Sequence, residues 1–442
     1  MTAAATLTAT AEDIVNGALR LIGEIDANQP TPAPQMQDGL QSLDYMVKHW
    51  QSQGLHLWTK KEGILFLDAG KTDYKLGPNG DECGNLDDFE NTELSIAGVT
   101  NDRIINVDST SGILGADDIL ASDPSESTQG WTAVGGTLAI AATSLVVSNA
   151  AAVAGEAERT ITGLTVGRQY RFIAGFTLGS SVSATYSIKD TSSTLGTETL
   201  TATGTSKFNF TATQTSLTLE ILNGDTAGTN TTTTTSIQIL DATTGDFVGV
   251  RLDDGTRQWS KAVEILSTTQ IYIADAVTGA AAIDNSVFSF PELVPRPVRV
   301  LQMRRVKIGD TSEIEVNKWS RTDYFAQPDK TSQGTVNNWY YSPQLTDGRL
   351  YVWQTANDAD QVLKFTYERP LNTAPETSDV PDFPSEWFMT LKYQLAAEIG
   401  PEYKIPQDRL SFLTAKAAQL LEESIGFDVE NSSMDMQPDF RY

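Results

Sequence analysis

Thr10-Ala-Glu-Asp-Ile-Val-Asn-Gly-Ala-Leu-Arg-Leu-Ile-Gly23 decides how the rest of this chain is read. The Thr10 hydroxyl is placed to take an orphan backbone N–H, and Glu12 and Asp13 suit the positive end of a helix dipole. Ile14, Ala18, Leu21, Ile22 and Ile25 then recur at helical spacing. Three prolines in Gln29-Pro-Thr-Pro-Ala-Pro34 interrupt the pattern, because proline disfavours helix at and before itself. A second stripe follows in Met36, Leu40, Leu43, Val47 and Trp50, and Gly54 closes it. The spacing predicts a helical hairpin over 11–53. Each large side chain buried along it contributes about 1.5–3 kcal/mol, enough to hold the pair against something larger.

The other end of the chain repeats the pattern. Pro381-Asp-Phe-Pro384 halts what precedes it, and Trp387, Phe388, Leu391, Leu395 and Ile399 form one stripe. Pro406 opens a further helix striped by Leu410, Leu413, Ala417, Leu420, Leu421 and Ile425, with Gly426 as its expected C′ residue. Beyond it, 427–442 has no sustained period. Met434, Met436, Pro438, Phe440, Arg441 and Tyr442 make it an arm whose apolar groups suit a receiving groove better than open water; a plain disordered tail is the alternative.

Between the helical ends the chain reads as strand. Short strand-like runs start at Ile64 and continue through 103–107, 247–252, 261–266, 270–273, 298–307, 349–353 and 362–368. Asp253-Asp-Gly-Thr256 has the chemistry of a hairpin turn. The segment 122–241 differs in composition, with 27 Thr and no His, Cys or Met. Its runs at 137–140, 144–147, 170–176, 184–188, 207–210, 216–222 and 235–240 are short and evenly punctuated, which predicts a β-sandwich of jelly-roll or immunoglobulin type. The flanks read as halves of one interrupted β domain, so the sandwich is an insertion at a loop tip. The fold class expected is α+β: N- and C-terminal helices forming a helical bundle, a central antiparallel β domain and an inserted β-sandwich. The divisions are 1–60, 61–121, 122–241, 242–380, 381–426 and 427–442.

Composition limits what the chain can do. With 57 Asp and Glu against 31 Lys and Arg, its net charge is −26. Such a field repels phosphate backbones, so tight nucleic-acid binding is disfavoured, whereas DNA sliding past a repulsive wall is compatible with it. The single cysteine, Cys83, rules out an intrachain disulfide and cysteine-rich zinc sites, and it fits folding in a reducing compartment. The start Met1-Thr-Ala-Ala-Ala-Thr-Leu7 lacks basic residues and an apolar core, so no signal peptide is expected. No run approaches the length needed to span a bilayer, so membrane insertion is not expected.

No catalytic constellation emerges. His49 and His56, the only histidines, stand seven apart across a predicted helix end, where a helical metal pair stands four apart. No G-x-S-x-G elbow, phosphate-binding loop or dinucleotide fingerprint is present. The carboxylate pairs Asp87/Asp88, Asp117/Asp118 and Asp253/Asp254 read as solvated turns, since sequence neighbours on a strand face opposite sides. No catalytic residue, cofactor or metal ligand is assigned. The inserted unit carries Trp131, Tyr170, Phe172, Phe176, Tyr186, Phe208 and Phe210. Alternating aromatics fill sandwich cores, but exposed ones stack on sugars, and Trp131 and Tyr170 are the candidates for glycan contact. The basic run Arg296, Arg299, Arg304, Arg305 and Lys307 suits an acidic neighbouring subunit, a solvated strand face or, less well, DNA.

Taken in order along the chain, several segments together resemble the head-to-tail adaptor family of short-tailed bacteriophages, also called tail tubular protein A or tail accessory factor. They are Ile14-Val-Asn-Gly-Ala-Leu-Arg-Leu-Ile-Gly23, Met36-Gln-Asp-Gly-Leu40 through Trp50, Leu350-Tyr-Val-Trp353, Pro381-Asp-Phe-Pro-Ser-Glu-Trp387 and Gln437-Pro-Asp-Phe-Arg-Tyr442. The resemblance covers roughly 11–118 and 244–442; the segment 122–241 is extra and is similar to carbohydrate-binding-like jelly rolls of phage surface proteins. The resemblance implies a structural virion protein without enzymatic turnover, in a homo-oligomeric ring of twelve copies below the portal vertex. It implies portal and tail nozzle proteins as partners, tail fibres as further ones, and DNA passing through the lumen unbound. The arm residues Met434, Met436, Pro438, Phe440, Arg441 and Tyr442 would enter the portal. Ile14, Leu21, Leu43, Trp50, Trp387, Leu391, Leu413 and Leu420 would pack subunit on subunit. The competing readings are a tail-associated carbohydrate-binding adhesin and a cell-wall glycosidase.

Overall fold

The computed structural model describes residues 8–26, 29–53, 57–120, 122–150, 152–227 and 229–427. The chain is mostly β-sheet, in several sandwich-like sheets, with helices at both ends. Its units are nested: the helices lie outermost in sequence, and each β unit is interrupted by the next.

Helix α1 (Ala11–Ile22) starts at a capping box in which Thr10 and Asp13 bond each other's backbone N–H, and it ends at Gly23 in the left-handed region (φ 85°). Helix α2 (Ala33–Gln53) follows the proline run. Gly39 of α2 lies so close to α1 that a Cβ there would stand 2.5 Å from Val15 Cγ1. A short helix α3 (Arg321–Ala326) decorates the β region. Helices α4 (Phe388–Ile399) and α5 (Gln407–Phe427) complete the set. Gly426 lies inside the last turn of α5, one residue short of the helix end, where a C′ position was expected. Among the described residues, no helix is long and apolar enough to cross a membrane.

The next unit is a five-stranded sheet facing a four-stranded one. The first contains Lys60–Phe66 paired to Gln361–Glu368, which pairs in turn to Arg299–Lys307. The second contains Asp73–Leu76, Gly348–Trp353, Asn338–Ser342 and Asn317–Lys318. Leu65, Tyr74, Met303, Trp339, Leu350 and Phe365 fill the space between them. Two short pairs, 317–318 with 338–339 and 333–334 with 355–356, are parallel, so this region is mixed where a wholly antiparallel one was expected.

A six-stranded antiparallel sheet comes next, built from 90–106 and 247–290. It has its own core around Leu94, Ile105, Val248, Ile271 and Val287. The single central β domain expected from sequence is therefore two units with separate cores. They meet at Phe66, Phe288 and Phe290, and Arg257 is buried there with its guanidinium 5.0 Å from the Phe66 ring and 4.9 Å from the Phe288 ring. Burial pushes that guanidinium down to about 10.

The innermost unit runs from Trp131 to Asp241 as two five-stranded sheets, ordered 204–211, 169–177, 231–241, 144–149, 136–141 and 194–200, 184–189, 216–223, 155–162, 131–134. Phe172, Tyr186, Leu219, Ile221 and Ile239 lie between the sheets. The chain enters beside its exit: Ile119 N–H donates to Ile239 O at 2.9 Å. The unit is fastened to the six-stranded sheet rather than tethered by a linker. Arg171 Nε donates to Glu264 at 2.9 Å and its guanidinium lies 3.5 Å over the Tyr272 ring. Lys207 also pairs with Glu264, and Asn209 donates to the Tyr272 hydroxyl at 2.8 Å.

Candidate functional site

The helical end of the molecule is where sequence and resemblance converge. Helices α1, α2, α4 and α5 share one core with the segment 371–387. Trp50, Trp58, Phe383 and Trp387 cluster there, with the Trp50 and Trp58 rings 5.9 Å and 5.3 Å from Trp387. Arg369 clasps Asp382 through both oxygens, one bond at 2.8 Å, and Ala11 N–H donates to Asp379 O at 2.7 Å. This segment thereby ties the β units to the helices.

That core corrects the subunit-packing set. Ile14, Leu43, Trp50, Trp387, Leu391 and Leu413 are all buried inside this one chain. Leu21 and Leu420 are half-buried at its margin. The stripes cover one another, so they are not free for a sister copy. What the helices do leave outward is a different set: Phe412 of α5 is 64% exposed, Met389 of α4 51% and Tyr45 of α2 67%. Among the described side chains of α5, Leu413 and Ala417 alone are fully buried, so most of that helix faces outward. It is held by Gln394 donating to Ala417 O at 3.1 Å, the Thr390 and Ser424 hydroxyls 2.7 Å apart, and Arg409 donating to Leu21 O at 2.9 Å. The arm residues Met434, Met436, Pro438, Phe440, Arg441 and Tyr442 lie outside the described residues.

The two glycan candidates are also corrected. Trp131 is buried, and its indole N–H donates to Pro124 O at 2.8 Å. Tyr170 is buried against Phe210, and its hydroxyl accepts from Thr165 N–H at 2.9 Å. Both rings point between the sheets, with their polar tips satisfied internally, as buried Trp and Tyr require. Neither offers a face to a sugar.

The outward face of the inserted unit carries Glu156, Glu158 and Glu220, whose carboxylate oxygens lie within 4.8 Å of one another. Among the described residues they are the acidic groups close enough to present oxygens to one cation. Lys189 pairs with Glu220 and offsets part of the charge. Burial, then hydrogen bonding and repulsion from Glu220, push the Glu156 carboxyl up to about 7.

Four of the five side chains of the basic run, Arg296, Arg299, Arg304 and Arg305, are engaged within the chain. Arg304 pairs with Glu62 and Glu313, each at 2.7 Å, and Arg299 faces Glu368 at 3.8 Å. Arg305 donates to Val336 O at 3.0 Å and Arg296 to Gln344 O at 3.1 Å. Lys307 lines a cleft of about 320 Å³ with Asp310, Ser312, Asn357 and Asp358. Of the histidines, His49 sits at an exposed helix end beside Gln53, and His56 lies outside the described residues. Cys83 is fully buried, and burial pushes its thiol up.

One surface escaped the sequence reading. On the outward side of the four-stranded sheet, Trp319 stacks on Trp353 at 5.3 Å and Tyr340 on Tyr351 at 5.7 Å. Phe325 of α3, 49% exposed, meets the Tyr351 ring at 5.8 Å. Arg321 lies over Phe325 at 5.6 Å and Lys330 over it at 5.8 Å. The available signal was alternation: Tyr340, Tyr351 and Trp353 alternate with the buried Trp339, Leu350 and Val352 on paired strands. Half-exposed rings with flanking cations are the composition of a contact surface.

No family model and no curated protein matches this chain. Over part of its length it is similar to several solved structures. One, described as CBM4 structure and function, is 11% identical, covers 27% of this chain and 95% of that one, and has a TM-score of 0.23. The enzymatically active domain of tailspike protein 4 of bacteriophage CBA120 is 11% identical, over 26% of this chain and 20% of that one, at a TM-score of 0.21. A family 29 carbohydrate binding module complexed with cellulohexaose is 12% identical, over 29% of this chain and 91% of that one, at a TM-score of 0.21. Each likeness is confined to less than a third of this chain, and at these scores none bears on its activity.

Proposed function

We propose that this chain is a structural connector without turnover, a head-to-tail adaptor of a short-tailed phage. Copies form a ring of twelve between portal and nozzle, and DNA passes through the lumen without specific binding. The site of action is the virion tail below the portal vertex, with assembly in the host cytoplasm. The observation that carries the reading is the closure of both chain ends into one helical layer that presents α5 outward, while the interior of the sequence supplies the β units. That layer is the bundle through which copies meet, by way of Phe412, Met389 and the outer side of α5 rather than the buried stripes. A ring needs contacts between unlike patches that close, and ring closure multiplies weak contacts through effective concentration. The aromatic face around Trp319 and Trp353 belongs to the β unit that meets the nozzle or fibres. Of the arm expected over 427–442, Phe427 closes α5, and the remainder, 428–442, enters the portal.

Deleting 428–442 tests the docking step. The truncated chain folds, keeps its melting temperature and no longer co-sediments with portal; full co-sedimentation of the truncated chain rejects the arm's role.

A further inference from the structure

The longest charge-free run in this acidic chain is 127–155, 29 residues between Glu126 and Glu156. It supplies the edge strand of both sheets of the inserted sandwich. Strand Trp131–Val134 ends one sheet and Gly136–Ala141 ends the other. Among the described residues, each pairs on one side only, with Gly155–Thr162 and Ser144–Asn149 respectively. Every second residue of such a strand points its N–H and C=O outward, ready to take another strand. Proteins ordinarily guard such edges with charge, proline or bulges. Here Thr137, Ala139, Ile140 and Ala141 are exposed, and none of those guards is present.

The opposite edge of the same sandwich is guarded. Strands Thr194–Leu200 and Gly204–Thr211 carry Glu198 and Lys207, with Glu198 accepting from Lys207 N–H at 2.6 Å and from the Ser206 hydroxyl at 2.9 Å. Lys207 is also engaged by Glu264 of the neighbouring unit. The contrast selects one side of the module.

We infer that the edge strand Gly136–Ala141 pairs antiparallel with the same strand of a second copy of this chain, in a two-fold contact centred on Ala139, which faces its own copy. The charge distribution names the occupant. At a net charge of −26, two copies repel over most of their surfaces, and this edge is where neither brings charge to the other. A basic partner would be drawn to the acidic faces instead. Small side chains at Thr137, Ala139 and Ala141 let a second sheet lie flush. A strand that meets itself satisfies two-fold symmetry without a second matching patch. Being two-fold, the contact does not join neighbours within one cyclic ring; it joins chains outside the ring or of two separate rings, and uses none of the helical surface proposed above.

The test uses the full chain. Amide hydrogen exchange across 137–141 is measured at low and high protein concentration, together with sedimentation velocity. The inference predicts slower exchange at high concentration, by about tenfold or more, confined to this edge. Ala139→Lys and Ala139→Glu each abolish that protection, because like charges face each other across the contact, and an equimolar mixture of the two variants restores it. Ring contacts through α5 leave these amides unmoved, so the outcome does not depend on the ring. Concentration-independent exchange in the unmodified chain, protection that survives Ala139→Lys, or failure of the mixture to recover it overturns the inference.

Discussion

Removing the Glu264 carboxylate tests whether the inserted sandwich is locked to its host or merely linked to it. Glu264 receives two cations from the insert, Arg171 at 2.9 Å and Lys207. Their side chains are 9% and 31% exposed, and that of Glu264 is 16% exposed. Glu264→Ala leaves a buried guanidinium over Tyr272 with no carboxylate, and breaking a fully buried pair from one side costs about 3–5 kcal/mol. Water reaches Lys207 and part of Glu264, which puts the expected loss at the lower end, about 3 kcal/mol. Replacing the buried pair, Arg171→Met with Glu264→Leu, removes the stranded guanidinium while keeping volume beside Ile173, Leu240 and Val263, and the remaining cation, Lys207, reaches water, so the double variant loses about 1 kcal/mol or less. Urea unfolding of the full chain, followed by tryptophan fluorescence and by exchange of amides in 131–241, reads the difference. If Glu264→Ala changes stability by less than about 0.5 kcal/mol, or if the double variant is as damaged as the single one, the reasoning fails.

Three further outcomes follow from local geometry. The Glu156 carboxyl is raised from 4.5 to about 7, so the folded state holds its proton more tightly, and the stability this gives is present below pH 4.5 and lost as pH rises through about 7. Glu156→Gln therefore melts higher than the parent at pH 8 and nearly with it at pH 4 in thermal scans. Ala142 and Thr143 join the edge strand Gly136–Ala141 to its neighbour Ser144–Asn149 with φ of 48° and 66°, a turn that favours Asn-Gly. The pair Ala142→Asn with Thr143→Gly should stabilise the chain by about 1–2 kcal/mol in chemical denaturation; a loss would refute the strain. Gly39→Ala gains about 1 kcal/mol of helix propensity but overpacks against Val15 for about 1–3 kcal/mol, so calorimetry should show a net loss, relieved by Val15→Ala.

Much of the architecture was legible because it repeats at short range. The helical stripes and the evenly spaced strands of the insert register locally, and the Thr10 cap forms as its chemistry dictates. What periodicity cannot say is which surface a stripe is buried against. Ile14, Trp50 and Leu413 were expected to meet a sister copy and meet one another's helices instead. The same limit left Trp131 and Tyr170 open between core and glycan contact: the stacking of two sheets, which leaves no local mark, puts both in the core. The division of the middle into two β units rests on pairings across the insert, such as 104–106 with 270–272, that leave no local mark. The basic strand looked available because its neutralising partners, Glu62 and Glu313, come from separate parts of the chain.

On the proposed function, the helical layer of α1, α2, α4 and α5 is a ring-forming platform that seats on a portal. Negative-stain imaging of the purified protein mixed with portal tests it most directly. Closed collars stacked on the portal ring are the expected result, lost when Phe412→Asp is placed on the outer side of α5. Solitary particles at every concentration, beside undecorated portals, would contradict it.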